Sequence, residues 1–374
     1  MKKFKDKVIV ILLAGFMFGM SILGIITPDS EYSLSERRKL AKFPELTWER
    51  VVNGKFMREF DDNFSLDSFI FRDTFRTAKA YFARGILMQK DSNDIYVADG
   101  YAAKLETLND KSIQSAAEKF NKVYNAYLKG HNVYFSVIPD KGYFLAEKHG
   151  YPGIDYEKLV SIMTSAMDPD MKYIDMFDQL EISDYYTTDL HWDQSKIVKI
   201  AEFLGTEMGF ADRLDKEYTS KELSPFYGVY YGQAALTIAP DKLTYLTNEN
   251  FDSLKVSLFD TKKLEYYEAE MYNEDDFSGV DPYDVFLSGA EPLIVIENEN
   301  AKTDKELFIF RDSFTSALAP LLSDAYSKIT LIDMRYIDGS LLGDYVEFTE
   351  NSDVLFLYST LILNSSGTIN VSIK

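Results

Sequence analysis

The stretch Leu307-Phe308-Ile309-Phe310-Arg311-Asp312-Ser313-Phe314 constrains the fold more than any other part of the chain. Four consecutive apolar residues with no polar alternation predict a strand buried on both faces, as in a sheet covered by helices. Past the serine, Ala317, Leu318, Leu321, Leu322 and Ala325 recur at helical spacing, so strand should turn into helix at Ser313. A hydroxyl there sits at the carboxyl edge of a sheet, beside the unpaired N–H groups of a helix N-terminus that can receive developing negative charge. It is a good place for a nucleophile. Ser313 or Asp312 would also serve as an ordinary helix cap.

A nucleophilic serine needs a base, and the chain has three histidines. His131 precedes an apolar strand and His149 lies in a Lys/Gly loop, neither with an obvious acidic partner. His191 lies in Thr187-Thr188-Asp189-Leu190-His191-Trp192-Asp193. In an extended or turn segment, residues i and i+2 point to one side, so Asp189 can accept from one ring nitrogen of His191 and leave the other free. A local structural hydrogen bond is the competing reading of that pair.

At the N-terminus, Lys2, Lys3, Lys5 and Lys7 precede the uncharged run Val8 to Ile26, long enough to cross most of a bilayer as a helix. Gly24-Ile25-Ile26 is a poor cleavage site, which favours an uncleaved membrane anchor, with a cleaved signal and a secreted body as the alternative. With no cysteine, the segment is not a lipoprotein signal. Either way, the body is expected outside the cytoplasm. The absence of cysteine also excludes disulfides and thiolate metal sites, and fits an envelope that does not rely on disulfide formation. The net charge of −20 argues against nucleic acid as a partner. At 46% hydrophobic and 15% aromatic, the chain can bury a sizeable core.

Residues 1–27 are thus expected to be the anchor or signal, 28–47 a polar linker, and 48–374 an α/β body. Trp48 to Met88 reads as helical, with Phe56, Phe60 and Phe64, then Phe71, Phe75, Ala78 and Phe82, spaced as core residues. Asp94 to Tyr101 reads as a strand ending in an Asp-Gly turn, and Ser112 to Leu128 as a helix closed by Gly130. Strands are expected at Val133–Pro139, Met171–Met176, Leu293–Glu297, Leu307–Phe310, Ile329–Asp333 and Val354–Tyr358, with Asp193 capping a helix that carries Ile197, Ile200, Ala201 and Leu204. Residues 224–290 break this alternation and read as a β-rich insertion. Strands alternating with helices imply a mainly parallel sheet, whose sites lie outside the carboxyl ends of its strands. No P-loop, dinucleotide fingerprint or paired-histidine motif is present, so neither cofactor nor metal is expected. Asn273-Glu274-Asp275-Asp276 lacks the pattern of a calcium loop.

Asp189-Leu190-His191-Trp192 resembles the signature of the DHHW protein family, with Leu190 where the family name has its first histidine. The chain is also similar to the related alginate O-acetyltransferase proteins, whose domain is SGNH-hydrolase-like. The likeness extends to Phe71-Arg72-Asp73, Asp99-Gly100-Tyr101, Ile138-Pro139-Asp140-Lys141, Arg311-Asp312-Ser313-Phe314 and Leu361-Ile362-Leu363-Asn364, covering most of the chain from about residue 35. The resemblance implies an SGNH-like α/β fold and a Ser-His-Asp triad with Ser313 as nucleophile, His191 as base and Asp189 as its orienting partner. Asn364 would be an oxyanion donor, or an ordinary turn residue; Tyr227, Lys141 and Arg311 would line the pocket, Arg311 equally forming a structural salt bridge. The implied activity is O-acetyl transfer to, or removal from, an envelope or exported polysaccharide, with a multipass membrane O-acyltransferase as acyl source. A non-catalytic polysaccharide-binding or assembly protein that keeps the fold is the alternative.

Overall fold

The six apolar runs predicted as strands join two further strands in one eight-stranded sheet: β1 (Asn132–Ile138), β2 (Lys172–Ile174), β3 (Leu254–Asp260), β4 (Glu265–Ala269), β5 (Leu293–Asn298), β6 (Glu306–Arg311), β7 (Lys328–Ile332) and β8 (Ser352–Ser359), in the order β4-β3-β5-β7-β6-β8-β1-β2. This computed structural model describes residues 2–27, 31–33, 36–214, 217–235 and 238–373. The chain forms two compact units, one of Met1–Ser92 with Gly232–Leu236 and one of Asn93–Tyr231 with Thr237–Lys374. The sheet belongs to the second.

The sheet is mixed, with the expected parallel run over five of its eight strands and an antiparallel run over the rest. Strands β7, β6, β8, β1 and β2 pair in parallel, whereas β5 pairs antiparallel with both β7 and β3, and β3 with β4. The antiparallel half comes largely from residues 224–290. That segment therefore does not stand apart: β3 and β4 extend the main sheet, while Thr219–Phe226 and Asp241–Thr247 form a separate antiparallel pair. Turn-rich, tyrosine-rich sequence signals β structure, but nothing in it says which sheet its strands join.

Strand β6 shows why the central runs lack polar alternation. Leu307 and Ile309 face one side, packed in a cluster that includes α5 (Val198–Met208) and α6 (Phe314–Leu322). Phe308 and Phe310 face the other, in a cluster with α3 (Asp110–Val123) and α4 (Tyr156–Ala166). Phe310 stacks on Phe356 of β8, ring centroids 4.3 Å apart. Helix α3 runs on through Tyr124–Leu128 to Gly130, whose φ of 94° places it in the left-handed region expected of a C-terminal cap. Ile95–Ala98 is the predicted strand and ends in the Asp99-Gly100 turn, both residues at positive φ; it pairs with Tyr101–Lys104 as a hairpin.

The first unit contains α1 (Lys2–Ile26), of which Phe4–Gly24 is long and apolar enough to cross a membrane, and α2 (Arg72–Gly85). Residues 28–30 and 34–35 of the expected linker lie outside the described residues. Phe56, Phe60 and Phe64 are half-buried around Phe43, with centroid distances to it of 6.0, 6.1 and 5.2 Å. The second aromatic set is not core. Phe71, Phe75, Ala78 and Phe82 are all exposed, and α2 buries Ala80 and Ala83 instead.

Truncating Phe310, fully buried and stacked on Phe356, is expected to cost about 3–5 kcal/mol. Denaturant unfolding of Phe310→Ala checks this, with Phe82→Ala, on the exposed set, expected to stay within about 1 kcal/mol of the parent.

Candidate active site

Because β7, β6, β8, β1 and β2 run the same way, their carboxyl ends meet at one edge of the sheet, where Ser313, Thr360 and the Asp140-Lys141 loop all emerge. Ser313 takes up an ordinary helical conformation (φ −65°, ψ −20°), so the strand-to-helix turn carries no backbone strain. Its side chain makes no capping hydrogen bond. Asp312 caps in its place: Oδ1 accepts the Phe314 N–H at 3.1 Å, while Oδ2 accepts the Ser359 N–H at 2.7 Å and ties the turn to β8. The Ser313 hydroxyl, half-buried among buried neighbours, is left for another partner.

That partner is His191, whose Nε2 lies 2.8 Å from Ser313 Oγ. On the ring's other side, Nδ1 lies 2.6 Å from Asp189 Oδ1, which also accepts the His191 backbone N–H at 3.0 Å. Asp189 Oδ2 accepts the Val229 N–H at 2.8 Å. A carboxylate only accepts, so Nδ1 carries the ring proton and Nε2 presents its lone pair to the serine. Serine, imidazole and carboxylate thus form one continuous hydrogen-bonded chain, with Asp189 fully buried and His191 nearly so.

Neighbouring segments hold the base loop. The Asp241 carboxylate accepts from the N–H and hydroxyl groups of both Thr187 and Thr188. Gly228 donates to Thr188 Oγ1 at 2.8 Å and passes so close that a Cβ there would lie 2.2 Å from the Thr188 and Asp189 backbone. The Trp192 indole N–H donates to Phe314 O at 2.9 Å, fastening the base loop to the helix that follows the nucleophile. Tyr283 lies flat against the His191 ring, centroids 3.8 Å apart and planes 4° apart.

Ser313, His191 and Asp189 are therefore brought together, whereas the donors of Asn364, Arg311 and Lys141 are engaged by other partners. Asn364 spends its amide elsewhere: Nδ2 donates to Glu106 Oε2 and Thr107 O, and Oδ1 accepts the Asn109 N–H at 2.7 Å. It anchors the loop before α3, the turn-type reading of that residue. Arg311 is fully buried and donates to Ser316 Oγ and to the carbonyls of Gly289 and Glu291, with no carboxylate at ion-pair distance among the described residues. It packs beneath α6 rather than lining a pocket. Lys141 is also buried; its Nζ donates to the carbonyls of Tyr186 and Thr187 at 2.9 and 3.3 Å and sits over the Tyr230 ring. It clamps the base loop from below. Tyr227 is exposed, next to Tyr231. His149 does have an acidic neighbour, Asp99 at 3.1 Å, on the hairpin turn, while His131 Nδ1 lies 3.0 Å from Ser352 Oγ. Among the described residues, no group of three His, Asp or Glu side chains converges as a metal site. Tyr283 and Asp241 carry no sequence signal of their role. Asp281-Pro282 announces a helical turn, since Asp281 caps it through the Tyr283 N–H, but not that the turn delivers a ring to His191.

No family model and no curated protein matches the chain. Its structure is similar to that of a DHHW family protein from Eubacterium siraeum, at 20% identity and a TM-score of 0.62, covering 76% of this chain and 98% of that one. It is also similar to Bacillus cereus PatB1 carrying a sulfonyl adduct, at 20% identity and a TM-score of 0.56, covering 72% of this chain and 95% of that one. PatB1 without the adduct gives a TM-score of 0.55. These likenesses show a shared fold, the one the resemblance to DHHW proteins implies.

Burial pushes the Lys141 ammonium down to about 7, against the pull of Asp189, Asp241 and Asp140. Below about pH 7 both folded and unfolded chains carry the charged lysine, and the cost of burying it is fully present. From there towards the ordinary value of 10.5 the unfolded chain binds more protons, so this residue makes stability rise with pH. Lys141→Met is expected to be less stable, because two carbonyls lose their donor, and to lose that rising slope. Denaturant midpoints of both proteins from about pH 6 to about pH 10 check this.

Proposed function

We propose that this chain is an extracytoplasmic serine acyltransferase or esterase that moves O-acetyl groups on an envelope or exported polysaccharide through an acyl-Ser313 intermediate. The observation that carries this reading is the unbroken Asp189–His191–Ser313 chain with the serine released from capping. A purely structural Asp-His pair has no need of a half-exposed serine at its far end, and a capping serine would bond its own helix.

His191 Nε2 takes the hydroxyl proton as Ser313 Oγ attacks the carbonyl of an acetyl ester. Asp189 holds the Nδ1 proton and stabilises the imidazolium without taking that proton. The tetrahedral oxyanion falls to the Ser313 backbone N–H at the start of α6, where the helix dipole favours negative charge. Collapse expels the donor alcohol, protonated by His191, and leaves acetyl-Ser313. A sugar hydroxyl, deprotonated by the same imidazole, then attacks and carries the acetyl group away; water in its place gives hydrolysis. The stacked Tyr283 ring restricts the imidazole to the plane that reaches both partners. Support for acetyl transfer to a polysaccharide, and for a membrane O-acyltransferase as donor, comes from the resemblance to DHHW and alginate O-acetyltransferase proteins. Helix α1 would hold the body at the outer face of the membrane as an anchor, or direct its export as a signal.

Incubating the full chain in detergent with an activated acetyl ester tests the reading. Intact mass should show a single acetyl adduct that maps to Ser313 and is absent from Ser313→Ala; equal labelling of both proteins, or of neither, contradicts it. Candidate oligosaccharides added to the acylated protein then separate transfer from hydrolysis. The Tyr283 hydroxyl has no hydrogen-bond partner among the described residues, so Tyr283→Phe should keep the acylation rate. Tyr283→Ala, which frees the ring, should lower it on the order of tenfold to a hundredfold.

A further inference from the structure

Helix α2 is built the wrong way round for a helix in a water-soluble body. Phe71, Phe75, Ala78, Phe82 and Ile86 fall on one stripe at helical spacing, yet Phe71 is 58% exposed, Phe75 45%, Phe82 52% and Ile86 67%. Leu87 and Met88 extend the stripe at 56% and 78%. The face that packs inward carries Ala80 and Ala83, about 100° or more around the helix, together with the largely buried Arg72 and Arg76. Large aromatic side chains are thus turned out and alanines turned in.

The charges on the helix are just as uneven. Arg72, Arg76, Lys79 and Arg84 stand against one carboxylate, Asp73, in a chain whose net charge is −20. Arg72 and Arg76 are paired with Glu36 and Asp73. Lys79 and Arg84 have no ion-pair partner among the described residues. An aromatic stripe with the unpaired Lys79 on its flank is the composition of a helix that lies in the headgroup region of a bilayer, its apolar face among the upper acyl chains. Lipid is also within reach, because α1, with its exposed span Phe4–Gly24, belongs to the same compact unit.

We propose that α2 and Ile86–Met88 form a second membrane contact, lying flat on a leaflet that carries anionic lipid; it rests on the reading of α1 as a membrane segment. Apolar burial supplies the depth, while Lys79, about 60° from the centre of the stripe, supplies attraction to lipid phosphates. The two attachments restrain the first unit at the bilayer surface more than a single spanning helix does.

The chain has no cysteine, so single cysteines at Phe82, Ile86, Asp73 and Leu12 can each carry an environment-sensitive fluorophore. The full-length protein is reconstituted into vesicles of phosphatidylcholine and phosphatidylglycerol containing a spin-labelled quencher lipid. The proposal expects the Phe82→Cys and Ile86→Cys probes to shift to the blue and lose intensity to the quencher, with a smaller loss from Asp73→Cys on the other side of the helix. In vesicles of phosphatidylcholine alone, the loss at Phe82→Cys and Ile86→Cys should shrink; an unchanged loss overturns the anionic preference. Water-like emission at both stripe positions beside a quenched Leu12→Cys probe overturns the proposal and leaves the α1 reading intact. If the Leu12→Cys probe is not quenched either, both readings fall. A blue shift without quenching means protein rather than lipid covers the stripe, and also overturns the proposal.

Discussion

A carboxylate shut away from solvent needs hydrogen bonds in place of water, and the Asp189 side chain draws its own from two places. One oxygen takes both the backbone and the ring N–H of His191, and the other takes the Val229 N–H from a different segment. Asp241 repeats the solution just upstream with four donors from Thr187 and Thr188. The loop between these two acids therefore has one way to sit, and the imidazole inherits its orientation from it. With Nδ1 committed, the only free lone pair on the ring points at Ser313 Oγ.

On the serine side the decisive exchange is between neighbours. Asp312 takes over the cap of α6 and reaches across to Ser359, which leaves Ser313 without a structural duty. Trp192 then joins the two halves by donating to Phe314 O. These contacts are local in space and distant in sequence. The sheet makes them possible by ending β6, β8 and β1 at one edge, so an elbow, a loop and a cap arising far apart in the chain meet there.

Much of this was legible in the sequence where a single residue type has few alternatives. An apolar run ending near a serine and followed by helical spacing is hard to read otherwise, and His191 was singled out because Asp189 stands two residues away. Failures came where a residue has several uses. Asn364 and Arg311 carry good donors, but donors equally satisfy buried carbonyls and loop backbone, and only the fold decides which they meet. Tyr283 was invisible because a tyrosine after a proline turn is unremarkable until the turn is placed against His191. The antiparallel edge is not legible in the sequence, because strands from a tyrosine-rich segment show no sign of the sheet they will extend. Phe71, Phe75, Ala78 and Phe82 read as core because periodicity reports an apolar face without saying what covers it.

In the proposed mechanism Asp189 and His191 activate Ser313 rather than merely touch it. The rate of covalent modification by a sulfonyl fluoride measures this most directly, because the reagent requires an activated nucleophile and no polysaccharide. The parent protein should be modified once, at Ser313, and His191→Gln and Asp189→Asn should react more slowly, the former on the order of a hundredfold or more. Equal rates in all three proteins, or modification of the parent at another residue, would contradict the account.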